Sequence, residues 1–314
     1  ETGIIGGTGT IGSIIVKYLL QLQTHFHVLI GGRRSIKEIS MSTFYNSERL
    51  KYNQMNYNND VELDNFCSQC LLVINAVGPS FKINDKIALH ALRNNCHYID
   101  IGGYGILRDL LKPYEKSIEA QKLCFIIGVG WMPGISGVFS KTIIETHLNS
   151  PENTNFNIYY GAVDNWSYSS TYDLAASSMG KTRSYVYSHG KEIQVSPFRY
   201  THHKFFPFIG HKKICMPSFD EQLTQLATSL KQIRKISTFI MLNDYISMGK
   251  FMFIKIFYKH NLNKATLMLQ DDYQRLVKKE NKWGSVICQV SKIEPERKID
   301  TFYYLYTKNN LLYT

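Results

Sequence analysis

The stretch Ile4-Ile5-Gly6-Gly7-Thr8-Gly9-Thr10-Ile11-Gly12 decides the reading of this chain. Two β-branched residues run into a glycine cluster. Behind it, Ile11, Ile14, Ile15, Tyr18, Leu19 and Leu22 recur at i, i+3, i+4, i+7, i+8 and i+11, which is one apolar stripe of an amphipathic helix. A Gly-x-Gly-x-x-Gly pattern alone is weak. Between a strand and a helix start it has the context needed to cradle a pyrophosphate. Gly7 serves the tight turn, Gly9 the close approach of backbone to phosphate, and Gly12 the close packing of helix on strand, with the helix N-terminus attracting the negative charge. The cofactor-binding set expected here is Gly7, Thr8, Gly9, Thr10, Ile11 and Gly12.

Outward from the loop, short apolar runs end in glycine. Val28-Leu29-Ile30 closes on Gly31-Gly32, and Leu71 to Val77 closes on Gly78-Pro79. His97-Tyr98-Ile99-Asp100-Ile101 closes on Gly102-Gly103, and Cys124 to Gly130 closes on Met132-Pro133-Gly134. With helical stretches between them, near 83–94 for example, such runs predict a parallel sheet wound on both faces. In sheets of this kind ligands bind beyond the carboxyl ends of the strands, where the glycines gather. Residues 133–314 read as an α+β domain. Helices are expected at 134–147, 172–184 and 220–230, a hairpin at 184–196 around His189-Gly190, and strands at 155–161, 283–290 and 301–307. Residues 199–282 give little signal. The domains are placed at 1–132 and 133–314 from this change of pattern, and a Rossmann-type α/β sheet followed by an α+β domain is the fold class.

About twenty residues after the loop, a carboxylate would mark recognition of the NAD ribose hydroxyl. Gly31-Gly32-Arg33-Arg34 stands there instead, with two guanidinium groups suited to a 2′-phosphate. NADP(H) is therefore the cofactor expected, with Arg33 and Arg34 in its site.

Composition excludes several classes. The 314 residues are 44% hydrophobic and 19% charged, which suits two folded domains rather than a disordered chain. No apolar run reaches the ~20 residues that cross a bilayer. The first residue is Glu1 and already leads into a strand, so a start a few residues earlier, no secretory leader and a cytoplasmic protein are expected. Of the six cysteines only Cys67-Ser-Gln-Cys70 has ligand-like spacing, and no second pair completes a metal site, so reduced thiols and no metal are expected. The net charge of +11 is uneven: residues 1–150 carry +2 and residues 151–314 carry +9. The basic residues are scattered and accompany no nucleic-acid-binding motif. The partners expected are an anionic small molecule and a second copy in a homodimer, with neither nucleic acid nor membrane.

Taken together, residues 6–12, Gly31-Gly32-Arg33, Asn75-Ala-Val-Gly-Pro79, His97-Tyr-Ile-Asp100 and Pro133-Gly-Ile-Ser-Gly137 resemble the saccharopine dehydrogenase-like family, in its NADP-binding branch that includes carboxynorspermidine dehydrogenases. The likeness covers about residues 1–140 in order and becomes loose beyond. It implies a second domain with an open mixed sheet, and reduction of a C=N bond by NADPH. It also implies a closing helix that does not occur within these residues. Gly78, Pro79 and Gly102 would border the nicotinamide half of the cofactor.

Asp100, at a strand end, is the first candidate for acid–base or substrate-orienting work, and Tyr98 shares its face of the strand. Lys181 and Arg183 are candidates for a carboxylate clamp. These four form the expected catalytic set. Trp131 and Met132 stand where they would wall the nicotinamide pocket or pack the domain crossing, and His189 reads as a hairpin tip. Tyr187-Ser-His-Gly-Lys191 has the Tyr-x-x-x-Lys spacing of short-chain dehydrogenases, but Gly190 and the alternating pattern indicate a turn. Two other functions remain open: a non-catalytic NADP(H) sensor, and a reductase of C=O or C=C bonds with an apolar pocket near 198–208.

Overall fold

A computed structural model describes residues 1–22, 25–35, 47–102, 105–147, 153–180, 184–218 and 221–308. The chain divides into two compact units, Glu1–Gly130 and Trp131–Thr314.

In the first unit six strands form one sheet: β1 (Thr2–Ile5), β2 (Val28–Gly32), β3 (Leu50–Gln54), β4 (Leu72–Asn75), β5 (His97–Asp100) and β6 (Phe125–Ile127). Their order is β3-β2-β1-β4-β5-β6 and every pairing is parallel. This is the dinucleotide-binding arrangement, in which the chain reverses direction across the sheet between β1 and β4. The helices are α1 (Thr10–Gln21), α2 (Asp60–Cys67), α3 (Ser80–Ile83), α4 (Lys86–Arg93), α5 (Gly105–Leu111) and α6 (Glu115–Ala120). Two apolar cores lie on the sheet, one around Val16, Ile4 and Ile30, the other around Leu63, Phe66, Ile87 and Tyr98. The helix expected over 83–94 is α4, which starts at Lys86 because Asn84, at φ +52°, ends the separate short helix α3 before Asp85 stands as the N-cap of α4. β3 and α2 were not legible in the sequence. Leu50-Lys-Tyr-Asn-Gln54 is an edge strand without a fully buried residue, so it lacks the apolar run of its neighbours.

The second unit is built on a mixed sheet of eight strands: β7 (Thr154–Val163), β8 (Ser184–Ser188), β9 (Lys191–Val195), β10 (His202–Phe206), β11 (His211–Pro217), β12 (Lys235–Leu242), β13 (Trp283–Ile293) and β14 (Lys298–Lys308). The main order is β10-β11-β12-β7-β13-β14, with β8 joined to β12 and β9 joined to β8. Only β12 and β7 run parallel; the other pairs are antiparallel. The helices are α7 (Ile135–Thr146), α8 (Tyr168–Gly180), α9 (Pro197–Tyr200), α10 (Glu221–Ser229), α11 (Tyr245–Phe257) and α12 (Leu262–Lys279). The hairpin turns at His189 (φ +48°) and Gly190 (φ +72°), which places Tyr187 and Lys191 on successive strands and not on one helix face. β10 to β12, α11 and α12 fill the stretch that sequence patterning left unassigned.

Candidate functional site: the carboxyl edge of the parallel sheet

Every glycine of the loop is fixed by a specific neighbour. Gly6 takes φ +84°, so the tight turn falls on Gly6 rather than on Gly7 as the motif suggested. Gly7 has another reason: a Cβ there would stand 2.8 Å from Ile30 Cγ2. A Cβ on Gly12 would stand 2.2 Å from the Gly6 carbonyl oxygen, so α1 packs on the loop at a distance only glycine permits. Gly9 is the N-cap of α1 and offers no side-chain acceptor, and the first turn carries no acidic residue. The helix therefore begins with amide donors and a positive dipole end unopposed by its own side chains. Thr8 is half-buried, while Gly9, Thr10 and Ile11 are exposed at the mouth of the loop.

Beside the loop, β2 ends at Gly32, where an added Cβ would meet Tyr52 Oη at 3.1 Å and Thr8 Oγ1 at 3.5 Å. The next two carbonyls are held from β3. Tyr52 donates to the Arg34 oxygen at 2.5 Å and Gln54 to the Arg33 oxygen at 3.3 Å. The backbone after β2 is thus pinned, while the Arg33 and Arg34 side chains are exposed and make no ion pair with a described residue. Neither Tyr52 nor Gln54 could be found from sequence, because β3 itself was not.

At the ends of β4 and β5 a buried polar network takes the place of an open acid. Asp100 is 2% exposed. Its Oδ2 accepts from Tyr98 Oη at 2.6 Å and from Asn75 Nδ2 at 2.8 Å, and its Oδ1 accepts from the Gly102 amide at 2.8 Å. Asn75 Oδ1 in turn accepts from the Val77 amide at 3.0 Å, just ahead of Gly78-Pro79. Burial, and then the Asp100 charge beside it, raises the Tyr98 phenol well above its ordinary pKa of 10.0, so it remains a donor. The network joins the two strand ends whose following turns contain Gly78, Pro79 and Gly102. Asp100 and Tyr98 are bonded to each other inside the domain, and Asp100 also lines a small pocket with Asn75, Ser80 and Phe81. Asn75 was missed as a member. Its signal was a lone amide closing the apolar run Leu72-Val73-Ile74. Gly102 lies close against Ser80, whose Oγ would stand 2.0 Å from an added Cβ and would have to rotate to admit one. Gly103, Lys181 and Arg183 fall outside the described residues, so the expected carboxylate clamp receives no geometry.

Among the described residues no cluster of His, Cys, Asp or Glu could hold a metal. Cys67, Cys70 and Cys96 are buried thiols. Burial pushes Cys70 up to about 12 and Cys96 up to about 11, which makes them inert.

The second unit has its own cavity, of about 610 Å³ including the solvent at its mouth, between β7, β12 and helices α8, α11 and α12. Trp131, Met132, Trp166, Phe251, Leu269 and Tyr273 are among its lining residues, and no lysine, arginine or histidine is. Trp166 stacks on Tyr273 with ring centroids 4.8 Å apart, and its Nε1 is buried without a partner. The aromatic stretch expected to line an apolar pocket lies elsewhere. Phe205 is exposed, Phe206 is buried in another core, and Phe208 stacks on Tyr304.

A parallel sheet in the order 3-2-1-4-5-6, with a glycine cradle at the first crossover and an uncapped helix start, defines the first unit as a Rossmann-type dinucleotide-binding domain. Residues 2–124 match the family model described as the saccharopine dehydrogenase NADP binding domain. Saccharopine dehydrogenase (L-Glu forming) from Saccharomyces cerevisiae shares the fold across both units. The match covers 98% of this chain and 86% of that one at TM-score 0.66, with 13% identity. A probable dehydrogenase from Thermotoga maritima matches 96% of this chain and 74% of its own at TM-score 0.47 and 9% identity. A short-chain dehydrogenase/reductase from Veillonella parvula, solved with NADP, matches 40% of this chain and 66% of its own at TM-score 0.31 and 17% identity. No curated protein matches the sequence.

Proposed function

We propose that the protein is an NADPH-dependent reductase whose hydride acceptor is a C=N bond in an amine-derived substrate. The observation that carries the cofactor half is the loop itself, in which Gly7 and Gly12 leave no room for a Cβ and α1 starts without a cap of its own. These features fit a pyrophosphate. Arg33 and Arg34, exposed on a backbone pinned by Tyr52 and Gln54, fit a 2′-phosphate. NADPH, when bound, supplies a hydride to the carbon of the double bond, and a proton is added at nitrogen. The chain's part is orientation. The Asn75–Asp100–Tyr98 network fixes the backbone at Gly78, Pro79 and Gly102, which would border the nicotinamide. In this reading Asp100 and Tyr98 are positioning residues, and the proton comes from elsewhere. The C=N assignment rests on the likeness to the saccharopine dehydrogenase-like family.

A second reading has an observation of its own. The cavity of the second unit is mainly apolar and its lining holds no cationic side chain, so it suits an uncharged, apolar substrate whose C=O or C=C bond is reduced. The buried Trp166 Nε1 offers that substrate one hydrogen-bond donor.

Fluorescence titration with NADPH and NADH, on the wild type and Arg33→Ala, tests the cofactor site. NADPH should bind more tightly than NADH. The variant should weaken NADPH about tenfold or more, as expected for one lost charge-assisted contact, and leave NADH unchanged. Equal affinity for the two nucleotides would end the 2′-phosphate assignment. NADPH consumption, screened with amine plus oxo-acid pairs against apolar ketones and enals, then separates the two readings. Tight binding without turnover on any of them would favour a sensor.

A further inference from the structure

We propose that α11 and the turn after it dock on the surface of an anionic lipid bilayer. The inward side of this helix is already spent on the fold: Phe251 and Ile254 are buried in the core shared with Leu174, Ala265 and Leu269. Its outward side is also apolar. Ile246 is 54% exposed, Ile256 65% and Phe257 66%, and Phe253 packs its ring 4.6 Å from that of Phe257. At 100° per residue these four side chains fall within about 100° of arc, a single ridge along the helix. Gly249 lies on the same arc, and an added Cβ there would meet nothing. Scattered exposed apolar residues need no explanation, but a contiguous ridge of isoleucine and phenylalanine marks a docking surface.

Charge chooses the occupant. From Tyr245 to Gln270 the chain holds four lysines, one histidine and no acidic residue. Lys250 is paired with Asp271 and Asp272, while Lys259 and Lys264, at the turn into α12, are exposed and pair with no described residue. A second copy of the chain meeting this ridge about a twofold axis would set the same lysines against each other. An anionic bilayer offers both the apolar phase and the countercharge. The helix has 13 residues, about 20 Å at 1.5 Å per residue, and no described helix is long and apolar enough to cross a membrane, so α11 lies in the plane of the interface. This proposal departs from the expectation of a protein without membrane contact, and it is independent of the reaction catalysed.

Flotation of the full chain with phosphatidylcholine vesicles, with and without phosphatidylglycerol, tests the proposal. The protein should float with the anionic vesicles, sink with the neutral ones, and be released by raised salt. Ile256→Ser/Phe257→Ser should lower partitioning at least about tenfold, and Lys259→Glu/Lys264→Glu about fivefold or more for each lysine lost. Both pairs are exposed, so thermal unfolding and NADPH binding should match the wild type, which shows that the variants fold. Absence of flotation with anionic vesicles, or full flotation of the serine variant, would overturn the proposal. A dimer in light scattering that the serine variant converts to monomer would assign the ridge to a second copy and overturn it equally.

Discussion

The two units hold their candidate sites in opposite ways. In the first, the site is made of backbone. Gly7 and Gly12 leave no space for a Cβ, Gly9 leaves the helix start uncapped, and the strand ends are tied by Asn75, Asp100 and Tyr98. In the second, the cavity is made of side chains brought together from β7, β12, α8, α11 and α12. A backbone cradle serves any ligand that shares a diphosphate, so it suits a common cofactor. A side-chain cavity changes with each substitution, so it suits a particular substrate. The comparison teaches that the two candidate sites are encoded at different scales, one within seven consecutive residues and the other across more than a hundred.

Substitutions in the first unit should be the more damaging, and Gly12→Val should be the worst of them. It forces a branched side chain onto the Gly6 carbonyl oxygen, so it should abolish NADPH binding and cost the unit about 3 kcal/mol, the upper range for overpacking. Titration together with thermal unfolding reads both, and wild-type binding would break the claim that loop shape makes the site. Asp100→Ala comes next. It leaves the Tyr98 hydroxyl, the Asn75 amide and the Gly102 N–H without their acceptor, at a cost of about 2–3 kcal/mol seen as a lowered melting temperature. Asp100→Asn sharpens the test. A positioning role predicts partial loss of stability with cofactor affinity and kcat falling together. An acid–base role predicts full stability, full affinity and no turnover. The Arg33→Ala effect, near tenfold in NADPH affinity, falls below these.

The smallest effect is expected in the second unit. Trp166→Phe removes an N–H that has no partner while keeping a ring to stack on Tyr273, so stability should change by less than about 1 kcal/mol. If the cavity takes substrate, KM should rise while kcat and NADPH affinity hold. An unchanged KM would remove Trp166 from substrate recognition.

Much of the first unit was legible because its signals are local. A strand buried on both faces must be apolar throughout, as Val28-Leu29-Ile30 and Leu72-Val73-Ile74 are, and a strand that turns under a phosphate needs glycine within a few residues. Asp100 shows the limit. Its position at a strand end was readable and suggested a reactive acid. Whether its carboxylate faces outward or accepts from Tyr98 and Asn75 depends on a residue 25 positions away on the neighbouring strand. Edge strand β3 and the arginine supports Tyr52 and Gln54 were invisible because a half-exposed strand has no apolar run to announce it. The helix ridge of α11 was hidden for the opposite reason, since a segment apolar on every side gives no periodicity to say which face is buried.

The sequence by itself determined the dinucleotide-binding fold of the first unit, its phosphate loop and the paired arginines, because steric requirements on glycine and burial requirements on parallel strands act over a few neighbouring residues. Only the tertiary structure decided that Asp100 is enclosed, that an apolar cavity without a cationic lining lies in the second unit, and that one face of α11 is left bare. Those facts depend on contacts between residues far apart in the chain, and such contacts exist only once the chain has folded.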